Sequence, residues 1–342
     1  MKNLQVVSAY HVVDGPWGGG NNFARALFSE LSQRHGMTIR FLKEEGVSPP
    51  PADIIFMNQN SAGPGDGSRA YSIAELENIR ARYPGAKILV RAINLRRHAR
   101  YNTLLPYWLS FSEQATDRVI RRQLAMAGLV IFQSEYQKGI YERNAIVPRR
   151  SAVIHNGAPV LFAKAGQASP RPALDPAKPL RLLSTSVSGN PRNRPALIAM
   201  LSEFPGIEIT HAGLWHDNVN PRRVRLAGKL DHREIAALMH EADYYLKLSE
   251  GDMCSNALIE ALAFGLPVIY DRAGGGAAEV GAPYGVPFDA QDMPGMLSIA
   301  CARHMELVEK IATHREDFLI TRVADAYAEI FRAQLGRQEK AA

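Results

Sequence analysis

The stretch that decides the fold of this chain is residues 249–269, SEGDMCSNALIEALAFGLPVI. Apolar strand patterns lie on either side of it. Between them, Ser255 or Asn256 can cap a helix through a side-chain oxygen. Gly265 suits the left-handed position that ends a helix, and Pro267 prevents continuation. The stretch therefore predicts a polar loop and a helix between two parallel strands, as in a βαβ unit.

The same alternation of short apolar runs and helical patterns extends along the whole chain. Strands are predicted at residues 5–9, 38–42, 54–57, 87–91, 129–133, 180–184, 208–212, 244–248 and 268–270. Helical spacing is predicted over residues 22–34, with Asn21 or Asn22 as the cap, and over residues 298–335. We therefore predict an α/β protein with two Rossmann-like domains, whose parallel sheets face an interdomain cleft.

A break in the pattern divides the two predicted domains. Residues 163–178 are rich in Ala, Pro and Gly and show no periodicity, which is typical of a linker. We place the linker at residues 166–178, a first domain at residues 1–165 and a second at residues 179–317. A chain of 342 residues also exceeds what one hydrophobic core usually supports.

Composition indicates a globular protein in a reducing compartment. Hydrophobic residues make up 46% and charged residues 22%, which excludes a disordered chain. Cys254 and Cys301 are too few for a disulfide framework. The amino terminus lacks a signal-peptide pattern, and no apolar run reaches the ~18 residues of a membrane span. We expect a cytoplasmic protein.

Charge is distributed unevenly between the halves. Residues 1–165 hold 21 Lys and Arg against 12 Asp and Glu, whereas the remainder is slightly acidic. In the first half, an aromatic-rich segment at residues 104–111 precedes Arg118, Arg121 and Arg122. This pattern suggests an anionic partner, such as a phosphorylated acceptor or an anionic membrane contacted peripherally at its inner surface. Packing of the aromatic segment within the first domain is the alternative.

Two loops of the second half have the composition of a phosphate and sugar site. The amides near Ser255 at the start of the predicted helix can bind an anion. Glu260 lies about one and a half turns into that helix, where its carboxylate can reach a ribose. Gly274, Gly275 and Gly276 follow the next strand and permit close approach of the backbone to a ligand.

These motifs resemble the retaining, family-four glycosyltransferases, which have two Rossmann-like domains. The resemblance rests on Asp252 and Glu260 eight positions apart, on the Glu-Ala-Leu-Ala-Phe-Gly-Leu-Pro-Val-Ile run, and on the Gly-Gly-Gly-Ala-Ala-Glu-Val run. It implies that the first acid lies near the donor sugar, that Glu260 binds the ribose, and that Ser255 and Asn256 begin the phosphate-binding helix. The family usually has glutamate at the first position. Spacing favours Asp252 here, and Glu250 remains the alternative.

The resemblance also implies a diphosphate clamp after the first strand of the second domain. Arg192 matches the arginine of the family, and Asn193 stands where lysine is usual, so Arg194 is a candidate for the missing charge. Such guanidinium groups neutralise a leaving diphosphate without a metal. The chain has no Asp-x-Asp pattern and no His or Cys cluster at metal-ligand spacing. We therefore expect neither a metal nor a cofactor.

Further candidates on the acceptor side or in the core come from a glycine run, a histidine and a lysine. Gly19 and Gly20, with Gly18, resemble the glycine-rich loop of the family's first domain, which approaches the donor phosphates. His98, in a basic loop after a predicted strand, is a candidate acceptor-side residue. Lys247 interrupts a strand that should be buried, so its charge needs a partner, for which Glu250, Asp252 and a phosphate are alternatives.

The sequence thus predicts a retaining glycosyltransferase that moves a sugar from a nucleoside diphosphate to a hydroxyl acceptor. The resemblance implies a saccharide or lipid-linked acceptor in envelope polysaccharide or glycoconjugate synthesis. It also implies that the carboxyl-terminal helix, about residues 318–342, packs back on the first domain. A nucleotide-sugar epimerase and a non-catalytic sugar-nucleotide-binding module are the alternatives. No nucleic-acid-binding motif is present.

Overall fold

Each half of the chain folds as a six-stranded parallel sheet with helices, in a computed structural model that describes residues 3–13, 18–42, 51–58, 71–98, 106–168, 171–175 and 177–335. Two compact units result. Unit 1 comprises Met1–His155 and Val323–Ala342, and unit 2 comprises Asn156–Arg322. The α/β class with two Rossmann-like parallel sheets is confirmed.

Unit 1 has the strand order β2-β1-β3-β4-β5-β6. Its strands are β1 (Gln5–Ser8), β2 (Thr38–Phe41), β3 (Ile54–Asn58), β4 (Lys87–Arg91), β5 (Leu129–Phe132) and β6 (Ser151–Val153). Its helices are α1 (Gly18–His35), α2 (Ile73–Arg82), α3 (Phe111–Met126) and α4 (Glu135–Arg143). Every residue of β3 is buried, as expected of a central parallel strand with both faces covered.

Unit 2 has the strand order β12-β11-β10-β7-β8-β9. Its strands are β7 (Leu180–Ser186), β8 (Ile207–Gly213), β9 (Arg225–Gly228), β10 (Tyr244–Lys247), β11 (Val268–Tyr270) and β12 (Gly285–Pro287). Its helices are α5 (Val160–Gln167), α6 (Pro195–Leu201), α7 (His232–Glu241), α8 (Asn256–Phe264), α9 (Gly276–Gly281) and α10 (Met293–His314).

The last helix, α11 (Ile320–Leu335), contributes its residues from Val323 onward to unit 1. There the Tyr327 and Phe331 rings lie 6.1 and 6.0 Å from the ring of Phe56 in β3. The His35 ring at the end of α1 contacts the Asp325 carboxylate at 3.0 Å. The aromatic side chains of the chain's end thus help to fill the core of unit 1.

Two predicted loop segments are helical instead. α1 begins at Gly18, so the three glycines form its first turn rather than a loop before it, and the Asn21 side chain bonds both backbone groups of Val13. α5 takes up the start of the predicted linker. A Cβ at Gly166 of α5 would lie 1.6 Å from the Phe264 carbonyl oxygen, so this glycine permits close helix packing.

The boundaries of the units also differ from those predicted. The boundary between the units falls after His155, because α5 packs on α8 inside unit 2. Within the remaining connection, the Arg171 guanidinium donates to the Ala242 and Met239 carbonyl oxygens at 2.6 Å, at the end of α7. Arg171 is therefore held by hydrogen bonds that satisfy the last carbonyls of a helix.

Candidate functional site

The strand order of unit 2 reverses between β7 and β10, which lie side by side although β8 and β9 come between them in the chain. Loops at the carboxyl ends of such strands diverge, and ligands of open parallel sheets bind at this point. The two loops also contact each other, since the Glu250 amide donates to the Arg192 carbonyl oxygen at 3.2 Å. This edge of the sheet is the candidate site.

The loops after β10 and β11 run side by side as an extension of the sheet. The Gly251 and Asp252 amides donate to the Ala273 and Gly274 carbonyl oxygens, both at 3.0 Å. The Gly276 amide donates to the Asp252 carbonyl oxygen at 2.6 Å. These backbone hydrogen bonds therefore fix the loop after β10 (the acidic loop, residues 248–255) relative to the loop after β11 (the glycine loop, residues 271–276).

Helix α8 begins and ends where the sequence predicts. The Ser255 side chain caps it by accepting from the Leu258 amide at 3.3 Å, and Gly265 ends it with a φ of 104°. Asn256 takes part in fixing this start, because its side-chain oxygen accepts from the Asn156 amide group at 2.7 Å. Asn156 also donates to the Cys254 carbonyl oxygen at 3.1 Å. The helix therefore presents an ordered amino terminus, which favours an anion.

The glycine loop follows β11 and leads directly into α9, as predicted. Gly275 has a φ of 68°, and Gly276 is the first residue of the helix. A Cβ at Gly274 would lie 2.8 Å from the Asp271 carbonyl oxygen. The three glycines thus permit a tight turn, in which Gly274 and Gly276 are buried and Gly275 is partly exposed.

Arg192 is the cation of the site with the weakest internal contacts. Its guanidinium makes only long contacts, at 3.4 and 3.5 Å, with the Glu250 and Gly251 carbonyl oxygens. Among the described residues, no carboxylate lies within 4.0 Å of it. Asn193 has a neutral side chain and supplies no charge. Its amide group donates hydrogen bonds to the Ser186 hydroxyl and the Ser188 carbonyl oxygen and so shapes the loop. Arg192 is therefore ready to bind an anion.

Arg194 stands at the start of α6 in a left-handed conformation with a φ of 51°. Its guanidinium pairs with the Asp271 carboxylate through one nitrogen and with Glu250 at 3.2 Å through another. Asp271 is 12% exposed, whereas Glu250 is 63% exposed. One partner of Arg194 is therefore fixed in the fold and the other is open to solvent.

The partner of Lys247, which the sequence leaves open, is Asp252. The Lys247 ammonium, 11% exposed, lies 3.0 Å from the Asp252 carboxylate, whose other oxygen accepts from the Cys254 amide at 3.2 Å. Burial by itself would lower the pKa of Lys247, but the charge of Asp252 and the nearby Tyr245 raise it above its ordinary value. The lysine is therefore a charged group at the carboxyl end of a central strand.

Glu260 is nearly buried in α8, with 14% of its side chain exposed. Burial raises the pKa of its carboxyl from the ordinary 4.5 to about 7. The His232 ring of α7 lies 4.0 Å from this carboxyl. A carboxyl with such a pKa changes charge near neutral pH, which is typical of functional positions.

The candidates in unit 1 are placed differently. Gly20 lies in the first turn of α1, where an added Cβ would be 3.5 Å from the Asn58 side chain at the end of β3. Asn58 also accepts from the buried Arg91 at 2.9 Å, and Arg91 donates to Gln133 at 2.7 Å. Gly19 precedes Gly20 in that turn. The glycines thus lie beside a buried polar group where β1 and β3 diverge.

His98 lies away from that polar group. Its ring contacts the Asn144 amide at 2.7 Å, at the end of α4 that runs away from the carboxyl edge of the sheet. Burial lowers the pKa of His98. The loop before it is held by Asp117 of α3, which accepts from the Arg96 amide at 2.7 Å. The structure thus places His98 along a helix flank.

Sequence reasoning placed neither of two residues that organise the site among its site candidates. Asp271 fixes Arg194, and Asn156 fixes the start of α8. An aspartate directly after a buried strand is a signal that could have identified the first. The pairing of Asn156 with Asn256 could not be predicted from the sequence, because the two residues are 100 positions apart.

Among the described residues, no group of three His, Cys, Asp or Glu side chains is arranged to hold a metal ion. In the same part of the chain, no helix is both long and apolar enough to cross a membrane.

Part of the chain that includes this site matches a known protein family. Residues 206–307 match the model of the family described as Glycosyl transferases group 1. The match includes the acidic loop, α8 and the glycine loop. No curated protein sequence matches the chain significantly.

Solved structures resemble the whole chain. A sucrose-phosphate synthase from Thermosynechococcus elongatus has a TM-score of 0.66 at 16% identity and covers 98% of this chain and 100% of its own. The structure of Anabaena HepE in complex with UDP has a TM-score of 0.65 at 13% identity and covers 97% of this chain and 100% of its own. WaaG, a glycosyltransferase involved in lipopolysaccharide biosynthesis, has a TM-score of 0.63 at 14% identity and covers 96% of this chain and 99% of its own.

The chain therefore has the two-domain fold of the B-type glycosyltransferases. Its residues 206–307 carry the pattern of the group 1 family, and the resemblance drawn from the sequence motifs is confirmed.

Proposed function

We propose that the protein is a glycosyltransferase that moves a sugar from a nucleoside diphosphate to a hydroxyl acceptor, with retention of anomeric configuration. The observation that carries this proposal is the convergence of Arg192, Arg194, the start of α8 and the glycine loop at one switch point of the sheet. These groups suit a diphosphate, because guanidinium groups and the backbone amides at a helix amino terminus both bind phosphate oxygens.

The same groups suit the reaction. As the bond between the sugar and the diphosphate breaks, negative charge grows on the leaving phosphate, and fixed cations stabilise it at that moment. Arg192, with no carboxylate partner among the described residues, is best placed for this role. The cations perform it without a metal or cofactor, so we propose that none is required.

The acids of the site support same-face substitution. Asp252 holds Lys247, and Asp271 holds Arg194, so neither carboxylate is free to attack the sugar. In the proposed reaction, the acceptor oxygen bonds to the sugar carbon on the face that the diphosphate leaves. The acceptor proton passes to the departing phosphate. Asp252 with Lys247 faces the sugar, and Glu260 accepts from the ribose hydroxyls.

Two of the structural neighbours support particular donor and acceptor classes. HepE is known in complexes with UDP and UDP-glucose, which supports uridine nucleotides as the first donors to test. WaaG acts in lipopolysaccharide biosynthesis, which supports an envelope saccharide or lipid-linked acceptor. An epimerase or a non-catalytic binding module on this fold remains the alternative.

A panel of UDP-, GDP- and ADP-sugars tests the proposal. We expect one of them to bind and to be slowly hydrolysed, and NMR of the released or transferred sugar to show the anomeric configuration of the donor. Isomerisation of the donor sugar without an acceptor would identify an epimerase. Binding without hydrolysis or transfer would identify a binding module.

Replacing Glu260 with glutamine is expected to separate binding from stability. The carboxyl has a pKa of about 7 in the folded protein against 4.5 ordinarily, so it favours folding when protonated. The stability of the wild type should fall by about 3 kcal/mol as the pH rises from 4.5 to 7, and then level off. Glu260→Gln should remove this slope and be more stable at pH 8. It should also bind donor about tenfold more weakly, since it loses a charged acceptor.

Chemical denaturation at several pH values and calorimetry with the donor measure the two effects. Glu234→Gln, which removes an exposed acid from the neighbouring α7, is the matched control and should retain the wild-type slope. A Glu260 variant with unchanged donor affinity would remove the ribose assignment.

Peripheral contact of unit 1 with an anionic membrane belongs to the same proposal. Before and at the start of α3, Trp108 and Phe111 are 71% and 78% exposed, and Leu109 is also exposed. Arg118, Arg121 and Arg122 follow on that helix. Exposed aromatic side chains beside basic groups suit the interface of an anionic bilayer.

Sedimentation with vesicles tests this contact. The protein should bind phosphatidylglycerol vesicles more than phosphatidylcholine vesicles, and Trp108→Ser with Phe111→Ser should abolish most of the difference. Leu226→Ser with Ile299→Ser, which removes exposed apolar side chains of unit 2, is the control. Equal sedimentation of wild type and the aromatic variant would exclude the contact.

A further inference from the structure

Glu250 lies between the two arginines of the phosphate site. Its backbone oxygen accepts from Arg192 at 3.4 Å, and its carboxylate accepts from Arg194 at 3.2 Å. Its amide donates to the Arg192 carbonyl oxygen at 3.2 Å. The carboxylate therefore occupies one edge of the Arg194 guanidinium, while Arg192 approaches the backbone of the same residue.

The backbone and the side chain of Glu250 differ in freedom. The backbone is held by Arg192 on one side, and the next residue, Gly251, is held by Ala273. The side chain is 63% exposed, and an ion pair at such a surface contributes little. The carboxylate can therefore leave Arg194 by rotation of its own bonds, without movement of the loop.

The other partner of Arg194 has the opposite character. Asp271 is 12% exposed, and its second oxygen accepts from the Ala273 amide at 2.8 Å. Its own amide donates to the Lys247 carbonyl oxygen at 3.0 Å. Asp271 is thus part of the fold, and it orients one edge of the guanidinium while the other edge is open to exchange.

We propose that Glu250 is an internal stand-in for a donor phosphate. It occupies the outer edge of Arg194 when the site is empty, is displaced by the diphosphate of the sugar nucleotide, and returns when the product diphosphate leaves. Asp271 is the positioning residue that keeps Arg194 in place for the exchange. This role rests on the proposed function, since it requires a diphosphate ligand.

The proposal gives Glu250 a different role from the first acid of the donor motif. An acid that contacts the sugar would be needed for turnover, and its loss would leave diphosphate affinity unchanged. A stand-in competes with the ligand instead, so its loss tightens diphosphate binding. Loss of the Glu250 carboxylate should also slow product release, because no carboxylate then returns to replace the phosphate on Arg194.

Two variants that remove the same charge test the proposal. Glu250→Gln and Asp271→Asn each remove one negative charge beside Arg194, so a general electrostatic effect predicts tighter binding in both. The stand-in role predicts opposite signs. We expect Glu250→Gln to bind the diphosphate about threefold more tightly and Asp271→Asn to bind it about tenfold more weakly.

The probes are UDP, GDP and ADP, each compared by calorimetry with its 5′-monophosphate on the full-length protein. Monophosphate affinity should change less than diphosphate affinity in both variants, and thermal melting should show that both are folded. If Asp271→Asn does not fold, Glu250→Gln is compared in the wild type and in an Arg194→Gln background. The stand-in role predicts that the gain in diphosphate affinity vanishes in that background, whereas a general electrostatic effect would retain it.

The outcomes separate this proposal from the proposed function. Equal signs in the two variants, or a Glu250→Gln variant that loses turnover with unchanged diphosphate affinity, would overturn the stand-in role alone. Failure of all three diphosphates to bind the wild type would overturn the proposed function and this role with it.

Discussion

Replacing Arg192 with alanine is expected to lower the turnover of sugar transfer by about a hundredfold or more. Among the described residues, Arg192 has no carboxylate within 4.0 Å, so its charge is available to the leaving diphosphate. A fixed donor that meets charge developing in the transition state typically contributes a factor of ~10²–10³. Donor affinity should fall less than turnover, because much of this contact strengthens only as the bond breaks.

Initial rates with the donor identified by the nucleotide panel measure this effect. Arg192→Lys should recover part of the rate, since an ammonium keeps the charge but loses the two-pronged geometry. Arg303→Ala removes an arginine of α10 whose side chain is 41% exposed and pairs with Glu306, and it should retain wild-type turnover. A wild-type rate in Arg192→Ala would place the diphosphate clamp elsewhere.

Replacing Asp252 with asparagine is expected to lower the free energy of unfolding by about 3 kcal/mol and to abolish most transfer. The change leaves the Lys247 ammonium, only 11% exposed, without its counter-charge. Removing one partner of a buried ion pair typically costs ~3–5 kcal/mol. Replacing both partners is less harmful, so Asp252→Asn combined with Lys247→Met should recover most of the stability but none of the activity.

Urea denaturation of the two single variants and the double variant measures the coupling energy of the pair. Glu241→Gln breaks the Arg225 pair, in which both side chains are 60% exposed, and should cost less than about 1 kcal/mol. If the urea midpoint of unfolding of Asp252→Asn equals that of the wild type, the buried Lys247 charge does not depend on Asp252 for its stability.

The sequence predicts the site loop well because its signals are local. Ser255 caps α8 and Gly265 ends it within ten positions, and no distant contact opposes either signal. The strands that the sequence misses are β6, β9 and β12, which lie at sheet edges and have three or four residues. Such short strands bury too little to show an apolar run, as in β9, where most residues are exposed.

Distant contacts explain the other differences. Gly166 suggests a linker by composition, yet it allows α5 to approach the backbone of Phe264. The ion pair of Arg194 with Asp271 joins positions 77 apart and depends on which strands are neighbours. Sequence patterns can propose the charged residues of such a site, but the pairing between them follows from the order of strands in the sheet.

The central claim is that a sugar nucleotide binds where the loops after β7, β10 and β11 meet. Backbone amide NMR during titration with the bound nucleoside diphosphate tests it directly. The account predicts the largest shifts in residues 187–194, 249–256 and 271–276. Largest shifts at the opposite edge of the same sheet, around Arg181, Glu208 and Arg225, would contradict it.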